Sequence, residues 1–112
     1  MDLRFGTGNV RGLHRARALG LVTSEIDKYR KDLVAVQEVR WEGRGILESE
    51  NYSLFYGEGN NNHQLGTGFF VHRRIKSVVK KLEFISERVS CITLKGRRCD
   101  IRVLNVHATT ED

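Results

Sequence analysis

The sequence predicts an α/β fold with a mixed β-sheet, and three observations carry that prediction. Residues 33–36 form an unbroken apolar run of the kind found in buried strands. A strand-like run over residues 3–10 and a helical stretch over residues 17–30 come before it. In the helical stretch, apolar residues recur at helix-like spacing, at Leu19, Val22, Ile26 and Tyr29. The strand–helix–strand order favours a right-handed crossover and a parallel pair of strands.

The rest of the chain is predicted to be strands joined by polar loops. Strand-like runs cover residues 52–56, 66–72, 75–85, 89–94 and 100–106, and loops are expected over 42–50 and 57–66. Two glycines before Phe69 indicate close approach by a neighbouring backbone. The last two strands should form a hairpin centred on Gly96 and Arg97, with Cys91 near Arg102. Because one helix cannot cover so many strands, we expect part of a domain, with no internal boundary.

Length, apolar content and net charge narrow the possible functions only slightly. The chain has 112 residues and 39% apolar content, which suits one small domain. A net charge of +5 modestly favours a polyanionic partner, and a solvated basic surface explains it equally well. The basic residues form clusters at positions 11–17, 28–31, 73–76, 80–81 and 97–98. The sequence does not establish whether these clusters share a face.

The two cysteines, Cys91 and Cys99, are predicted to be free thiols in a reducing compartment. No zinc-ligand spacing is present. No run is long enough to cross a membrane, and Met1 is followed by Asp-Leu-Arg, which does not resemble a signal peptide. We therefore expect an intracellular protein, nuclear or cytoplasmic, that is not secreted and has no membrane partner.

Three strand-like runs end in polar side chains, at Asn9, Glu38 and His107. Strand ends are where α/β enzymes collect their chemistry. A carboxylate and an amide suit a hard cation, and an imidazole suits a phosphate. The three ends therefore predict a metal and phosphate site. The alternatives are a surface glutamate, a turn asparagine and a strand-end histidine.

Four short motifs carry a family resemblance. They are Asn-Val-Arg-Gly at 9–12, Gln-Glu-Val-Arg-Trp at 37–41, Gly-Thr-Gly-Phe-Phe-Val at 66–71 and Asn-Val-His-Ala at 105–108. In order and spacing the chain resembles the endonuclease/exonuclease/phosphatase superfamily, which includes deoxyribonuclease I and the apurinic endonucleases. More narrowly, it resembles the endonuclease domains of non-LTR retrotransposons and the craniofacial development protein 2-like sequences. The resemblance extends over essentially the whole chain.

The resemblance implies a four-layer α/β sandwich with mixed β-sheets and a magnesium-dependent phosphodiester hydrolase site at one edge. Glu38 would be the main ligand of Mg²⁺, with Mn²⁺ as an alternative metal. Asn9 would orient a metal-bound water or contact the phosphate, and His107 would donate a hydrogen bond or a proton to phosphate oxygens. The implied substrate is nucleic acid, most naturally DNA.

Three further residues are candidates for contact with nucleic acid: Arg11, Arg40 and His63. The structural alternatives are an exposed arginine at position 40 and a solvated loop histidine at position 63. Trp41 is expected to pack under the following loop, and Tyr56 is expected in the core.

The chain departs from the superfamily in ways that affect activity. The later Asp–Asn and Asp-His motifs are absent, and Gly8 and Thr109 stand where a tryptophan and a proline are usual. We therefore expect the N-terminal portion of the domain, inactive without its C-terminal half. One alternative is a non-catalytic nucleic-acid-binding or chromatin-associated remnant of a retroelement endonuclease. Another is a member of the superfamily that acts on a lipid or a small phosphodiester.

Overall fold

The computed structural model describes residues 3–9, 16–39, 43–59, 66–86 and 88–107, and the side chains of Asn9, 16–18, Glu38, Gly43, Glu58 and Gly59 lie outside what it describes. The strands are β1 (Phe5–Asn9), β2 (Leu33–Val39), β3 (Gly43–Glu48), β4 (Tyr52–Gly59), β5 (Gly66–His72), β6 (Val79–Ser86), β7 (Val89–Leu94) and β8 (Ile101–Val106). The helix α1 spans Ala16–Lys28, and a 3₁₀ turn spans Lys76–Val78.

The strands form two sheets. The first sheet has five strands in the order β1-β2-β5-β4-β3, and the second has three in the order β6-β7-β8. Strands β1 and β2 are parallel, with Phe5 opposite Leu33, and every other pair is antiparallel. The predicted parallel pair and mixed sheet are confirmed. Over the described residues the protein is a mixed α and β fold, consistent with a partial α/β sandwich.

The first sheet has an apolar core on each face, because residues alternate between its faces. On β2, Leu33 and Ala35 pack towards the second sheet, in a cluster with Phe69, Ile92 and Leu94. The neighbouring residues Val34 and Val36 pack with Leu19 of α1, in a cluster completed by Val39, Tyr52, Leu54 and Phe70. Strand β2 is buried on both faces and reads as an unbroken apolar run over residues 33–36, which is why it was recognisable. The described part of the chain contains no helix long and apolar enough to span a membrane.

Strand β3 lies where a loop was expected. Its sequence, Gly-Arg-Gly-Ile-Leu-Glu, has weak strand propensity, but it pairs with β4 from Glu48 opposite Ser53 to Gly43 opposite Gly59. A Cβ atom on Gly45 would lie 2.3 Å from the hydroxyl of Tyr56, so glycine lets this ring lie across the neighbouring strand. Pairing with an available strand edge, rather than local propensity, decides this element.

The β7–β8 hairpin forms, but with a register different from the one expected. Cys91 lies opposite Leu104, and Arg102 lies opposite Thr93, because the connection is longer than a tight turn about Gly96. Cys91 is buried, Cys99 is exposed, and both are free thiols, as predicted. The expected strand over residues 75–85 begins only at Val79, after the 3₁₀ turn.

Candidate functional site

The ends of β1 and β2 lie side by side. Asn9, the last residue of β1, is the register partner of Gln37 on β2. Since the two strands are parallel, their carboxyl ends meet at one edge of the sheet. We call this edge the site end of the sandwich; the opposite edge, where β1 and β2 begin, is the far end. The backbone therefore brings together two of the three strand ends expected to carry the chemistry.

Strand β2 bulges where it carries Glu38. Val36 pairs with Gly68 on β5, and Val39 pairs with Gly66, so Gln37 and Glu38 together face Thr67. Two residues opposite one is the arrangement of a β-bulge, which bends the strand and changes the direction of its side chains. Bulges are common beside active sites. The backbone irregularity thus falls on the dipeptide that the motifs singled out.

Asn105 on β8 spans the two sheets at this bulge. Its side chain is 1% exposed, and its Nδ2 donates hydrogen bonds of 2.9 Å to the carbonyl oxygens of Val36 and Gly68. These two carbonyls belong to the last regular pair before the bulge. A buried carbonyl without a donor is costly, so the amide stabilises the place where the β2–β5 ladder becomes irregular.

The same contacts fix the orientation of a second amide. Because the Nδ2 of Asn105 is committed to two carbonyls, its Oδ1 must act as the acceptor towards Gln37. The Nε2 of Gln37 donates to that oxygen at 2.6 Å and lies 3.5 Å from the hydroxyl oxygen of Thr7. Gln37 therefore retains an amide oxygen that these contacts do not use, beside the residue expected to bind metal.

A second polar bridge joins the sheets nearby. The hydroxyl of Thr67 donates to the hydroxyl oxygen of Ser90 at 2.8 Å, and both residues are buried. Thr67 is the residue that faces the bulge, and Ser90 pairs with Asn105 on β8. Two buried polar bridges therefore fix the second sheet to the first at the site end.

His107 follows β8 directly and is half-buried. Its backbone N–H donates to the carbonyl oxygen of Arg88 at 2.8 Å, which continues the β7–β8 pairing past the end of the strand. Asn105, two residues earlier, forms hydrogen bonds with the side chain of Gln37 and the carbonyl oxygen of Val36, both on β2. The third strand end is therefore held at the same end of the sandwich as the other two.

Most of the side chains predicted to bind metal or nucleic acid lie outside the described residues. The side chains of Asn9 and Glu38 lie outside the described part, as do the whole of Arg11, Arg40 and His63. Within the part that is described, no three His, Cys, Asp or Glu side chains form a group able to hold a metal ion. The site end does offer amide and hydroxyl oxygens, which are donors of the kind that Mg²⁺ prefers. The metal and its ligands remain predictions.

An open cleft of about 500 Å³ lies between β1 and β2 of the first sheet and β8 of the second. It is lined by Phe5, Gly6, Thr7, Ala35, Gln37 and residues 103–106. Strands β1 and β8 are both terminal in their sheets. Phe5 lies on the inner face of β1, opposite Leu33, and is 43% exposed. The inner face of β1 is thus left partly uncovered beside the edge of β8.

Two known proteins resemble this chain. Over 106 residues, or 95% of the chain, it is 24% identical to Craniofacial development protein 2 of Bos taurus and 25% identical to the protein of that name in Tragulus javanicus. The chain is distantly similar to Craniofacial development protein 2. It spans only 18% of the length of these relatives. No protein-family model and no solved structure matches the chain.

The relationship to craniofacial development protein 2-like sequences, expected from the motifs, is therefore confirmed at the level of distant similarity. The wider superfamily and the roles of Asn9, Glu38 and His107 stay predictions.

Sequence reasoning gave no individual role to the residues that join the sheets. Gln37 and Asn105 appeared only inside motifs, and Thr67 and Ser90 were not singled out. One signal was available, since Asn105 is an amide inside the otherwise apolar run Val-Leu-Asn-Val. An amide at an inward strand position needs buried partners. The identity of those partners, on β2 and β5, could not be read from spacing.

Proposed function

We propose that the chain is the N-terminal portion of a metal-dependent phosphodiester hydrolase of the endonuclease type, with nucleic acid as its substrate. One observation carries the proposal: the Gln37–Asn105 hydrogen bond of 2.6 Å ties β8 to β2 at the site end. The strand ends bearing Asn9, Glu38 and His107 finish there. The distant similarity to Craniofacial development protein 2 supports reading these positions as motifs.

Each residue has a distinct role in this proposal. The carboxylate of Glu38 and the amide oxygen of Asn9 would hold Mg²⁺. Such an ion polarises a phosphate and offsets the negative charge that develops on the leaving oxygen. His107 would donate a hydrogen bond, or a proton when charged, to a phosphate oxygen. The bulge at Gln37–Glu38 would set the direction of the carboxylate.

The proposal includes the second half of the domain as a partner. The chain lacks the Asp–Asn and Asp-His motifs with which the superfamily activates the attacking water. A strand added beside β8 would extend the second sheet over the uncovered inner face of β1, where Phe5 and Thr7 line the cleft. Burying Phe5 in this way would favour association. Alone, the chain should bind metal and phosphate but should not turn over.

A metal titration tests the ligand assignment. Mn²⁺, as a paramagnetic surrogate for Mg²⁺, should bind the wild type and bind Glu38→Gln at least tenfold more weakly, because the change removes the negative ligand. Glu42→Gln removes the same charge four residues later and serves as the matched control. Equal weakening by the two changes would take Glu38 out of the site.

Incubation with supercoiled plasmid and Mg²⁺ tests the activity. We expect no nicking by the chain alone, and nicking when the C-terminal half of a complete relative is supplied in trans. Under those conditions His107→Ala and Glu38→Gln should abolish it. Nicking by the isolated wild-type chain that both changes abolish would overturn the claim that the second half is required.

A further inference from the structure

The described cations are concentrated at the far end of the sandwich. This end is formed by the start of β1, the turn between α1 and β2, the end of β5 and the β7–β8 connection. Their proximity follows from the register, since Leu33 pairs with Val71 and Leu94 pairs with Ile101. Strand β2 is 7 residues long, so the two ends are about 20 Å apart at 3.3 Å per residue.

Most of the acidic residues at the far end are already paired. Asp32 is buried and accepts from the Nε of Arg74 at 3.0 Å. The other pairs are Glu48 with Lys76 at 3.1 Å and Asp100 with Lys80 at 2.7 Å. These three carboxylates therefore do not neutralise the remaining cations.

Several cations at this end are left without an ion pair among the residues that the structure describes. They are Arg4, Arg30, Lys31, Arg73, Lys95, Arg97 and Arg98. The nearby carboxylates outside ion pairs are Asp27, which accepts a hydrogen bond from Asn51, and Glu50. The far end therefore carries a clear excess of positive charge.

One of these cations is held in a conformation that arginine rarely adopts. Arg30 has φ of 53°, in the left-handed region, two residues after the last residue of α1. Its N–H donates to the carbonyl oxygen of Asp27 at 3.0 Å, as at the end of many helices, where glycine is the usual residue. A side chain at that position costs stability. The exposed ring of Tyr29 precedes it, 67% accessible.

We propose that the far end is a second contact surface for nucleic acid, separate from the site end. Five of the seven unpaired cations are arginines, whose planar guanidinium binds phosphate oxygens through two parallel hydrogen bonds. They come from four segments of the chain, which flank strands of both sheets, so the surface fits an extended phosphate backbone rather than one anion.

This inference rests on the proposed function in taking nucleic acid as the polyanion. It adds that binding and hydrolysis occupy opposite ends of the sandwich. A nucleic acid held at the far end would keep the protein on its substrate without blocking the metal site. Loss of duplex binding should therefore leave metal binding intact, and loss of metal binding should leave duplex binding intact.

The test is duplex binding by two charge-reversed proteins. A fluorescein-labelled 20-base-pair DNA should bind the wild type with a log–log salt slope of about −3 to −5, as expected for roughly four or five neutralised phosphates. Arg97→Glu with Arg98→Glu, in the exposed β7–β8 connection, should weaken binding by about tenfold or more and flatten the slope. Arg44→Glu with Arg88→Glu makes the same change in net charge at the site end, and should weaken binding much less.

Equal weakening of duplex binding by the two double variants would show that only net charge matters, and would overturn the proposed contact surface at the far end. Tighter binding to phosphatidylserine vesicles than to the duplex would overturn the choice of nucleic acid. Mn²⁺ binding, measured on the same variants, separates the proposals: the Arg97/Arg98 change should leave it unaltered. Loss of Mn²⁺ binding in Glu38→Gln with retained duplex binding is the result expected when both hold.

Discussion

The side chain of Gln37 on β2 donates a 2.6 Å hydrogen bond to the side-chain oxygen of Asn105 on β8, across the interface between the two sheets. Asn105 in turn satisfies the carbonyls of Val36 and Gly68. The position of β8, and of His107 after it, is thus fixed relative to the bulge that carries Glu38. Asn105 therefore connects the second sheet to the first through its side-chain hydrogen bonds.

Replacing Asn105 with aspartate should destabilise the protein by about 2–4 kcal/mol. The carboxylate has the same size but cannot donate, so two buried carbonyls lose their partner and a charge is buried beside them. Urea unfolding measures the change. Gln37→Ala is the control, because it leaves both carbonyls satisfied, and it should cost about 1 kcal/mol. Equal costs would mean that the two carbonyl contacts do not stabilise the fold.

Two glycines at the site end should respond to alanine in opposite directions. A Cβ atom on Gly8 would meet nothing within 4 Å, so Gly8→Ala should stabilise by about 0.5–1 kcal/mol through reduced freedom of the unfolded chain. A Cβ atom on Gly68 would lie 2.7 Å from the carbonyl oxygen of Phe55, so Gly68→Ala should destabilise by more than about 1 kcal/mol. Thermal unfolding of the two variants gives the comparison, and a loss of stability in Gly8→Ala would contradict it.

Replacing Arg30 with glycine should stabilise the protein by about 1 kcal/mol, because glycine adopts the left-handed conformation without a steric cost. Arg30→Ala is the matched control. It removes the same charge but keeps a Cβ atom, so it should bring little or no gain. If the alanine and glycine variants unfold at the same temperature, the backbone at position 30 is not strained.

Stability should fall in mildly acidic solution because of His72. Burial lowers the pKa of His72 below its ordinary value of 6.5, and the charge of Arg74 lowers it further. The backbone N–H of Arg74 also donates to its Nδ1 at 3.0 Å, which requires the neutral ring. Between the lowered pKa of His72 in the folded state and its ordinary pKa in the unfolded state, the folded state therefore binds fewer protons than the unfolded state. The contribution is fully present above about pH 6.5 and is lost as the pH falls through the lowered value.

The measurement is the melting temperature of the wild type and of His72→Phe between pH 8 and pH 5. Phenylalanine keeps a ring against Tyr52, whose centroid lies 4.9 Å from that of His72. The difference between the two proteins cancels the titration of the carboxylates. As the pH falls, the melting temperature of the wild type should drop more than that of His72→Phe. A difference in melting temperature that stays constant with pH would show that His72 is not the cause.

Strong local patterns made much of the fold predictable. Strands β5 and β7 have the bounds expected from the sequence, because each carries apolar side chains of the kind that a core strand buries, Phe69 and Phe70 in β5 and Ile92 and Leu94 in β7. The helix α1 was predictable from its spacing, and the parallel β1–β2 pair followed from the crossover rule. The close approach expected before Phe69 is present at Gly68. The strand ends at Asn9, Glu38 and His107 could be named from the sequence because each lies at the end of a strand-like run.

Only the tertiary structure decided the rest, because it depends on contacts between residues far apart in the chain. Strand β3 forms by pairing with the edge of β4, although its two glycines and arginine favour a loop. Asn105 has its partners 69 and 37 residues away, on two other strands. The basic clusters were visible in the sequence, but their placement at the far end follows from strand direction and register. Periodicity reports which face of an element is buried, whereas the sheet topology decides which elements that face meets.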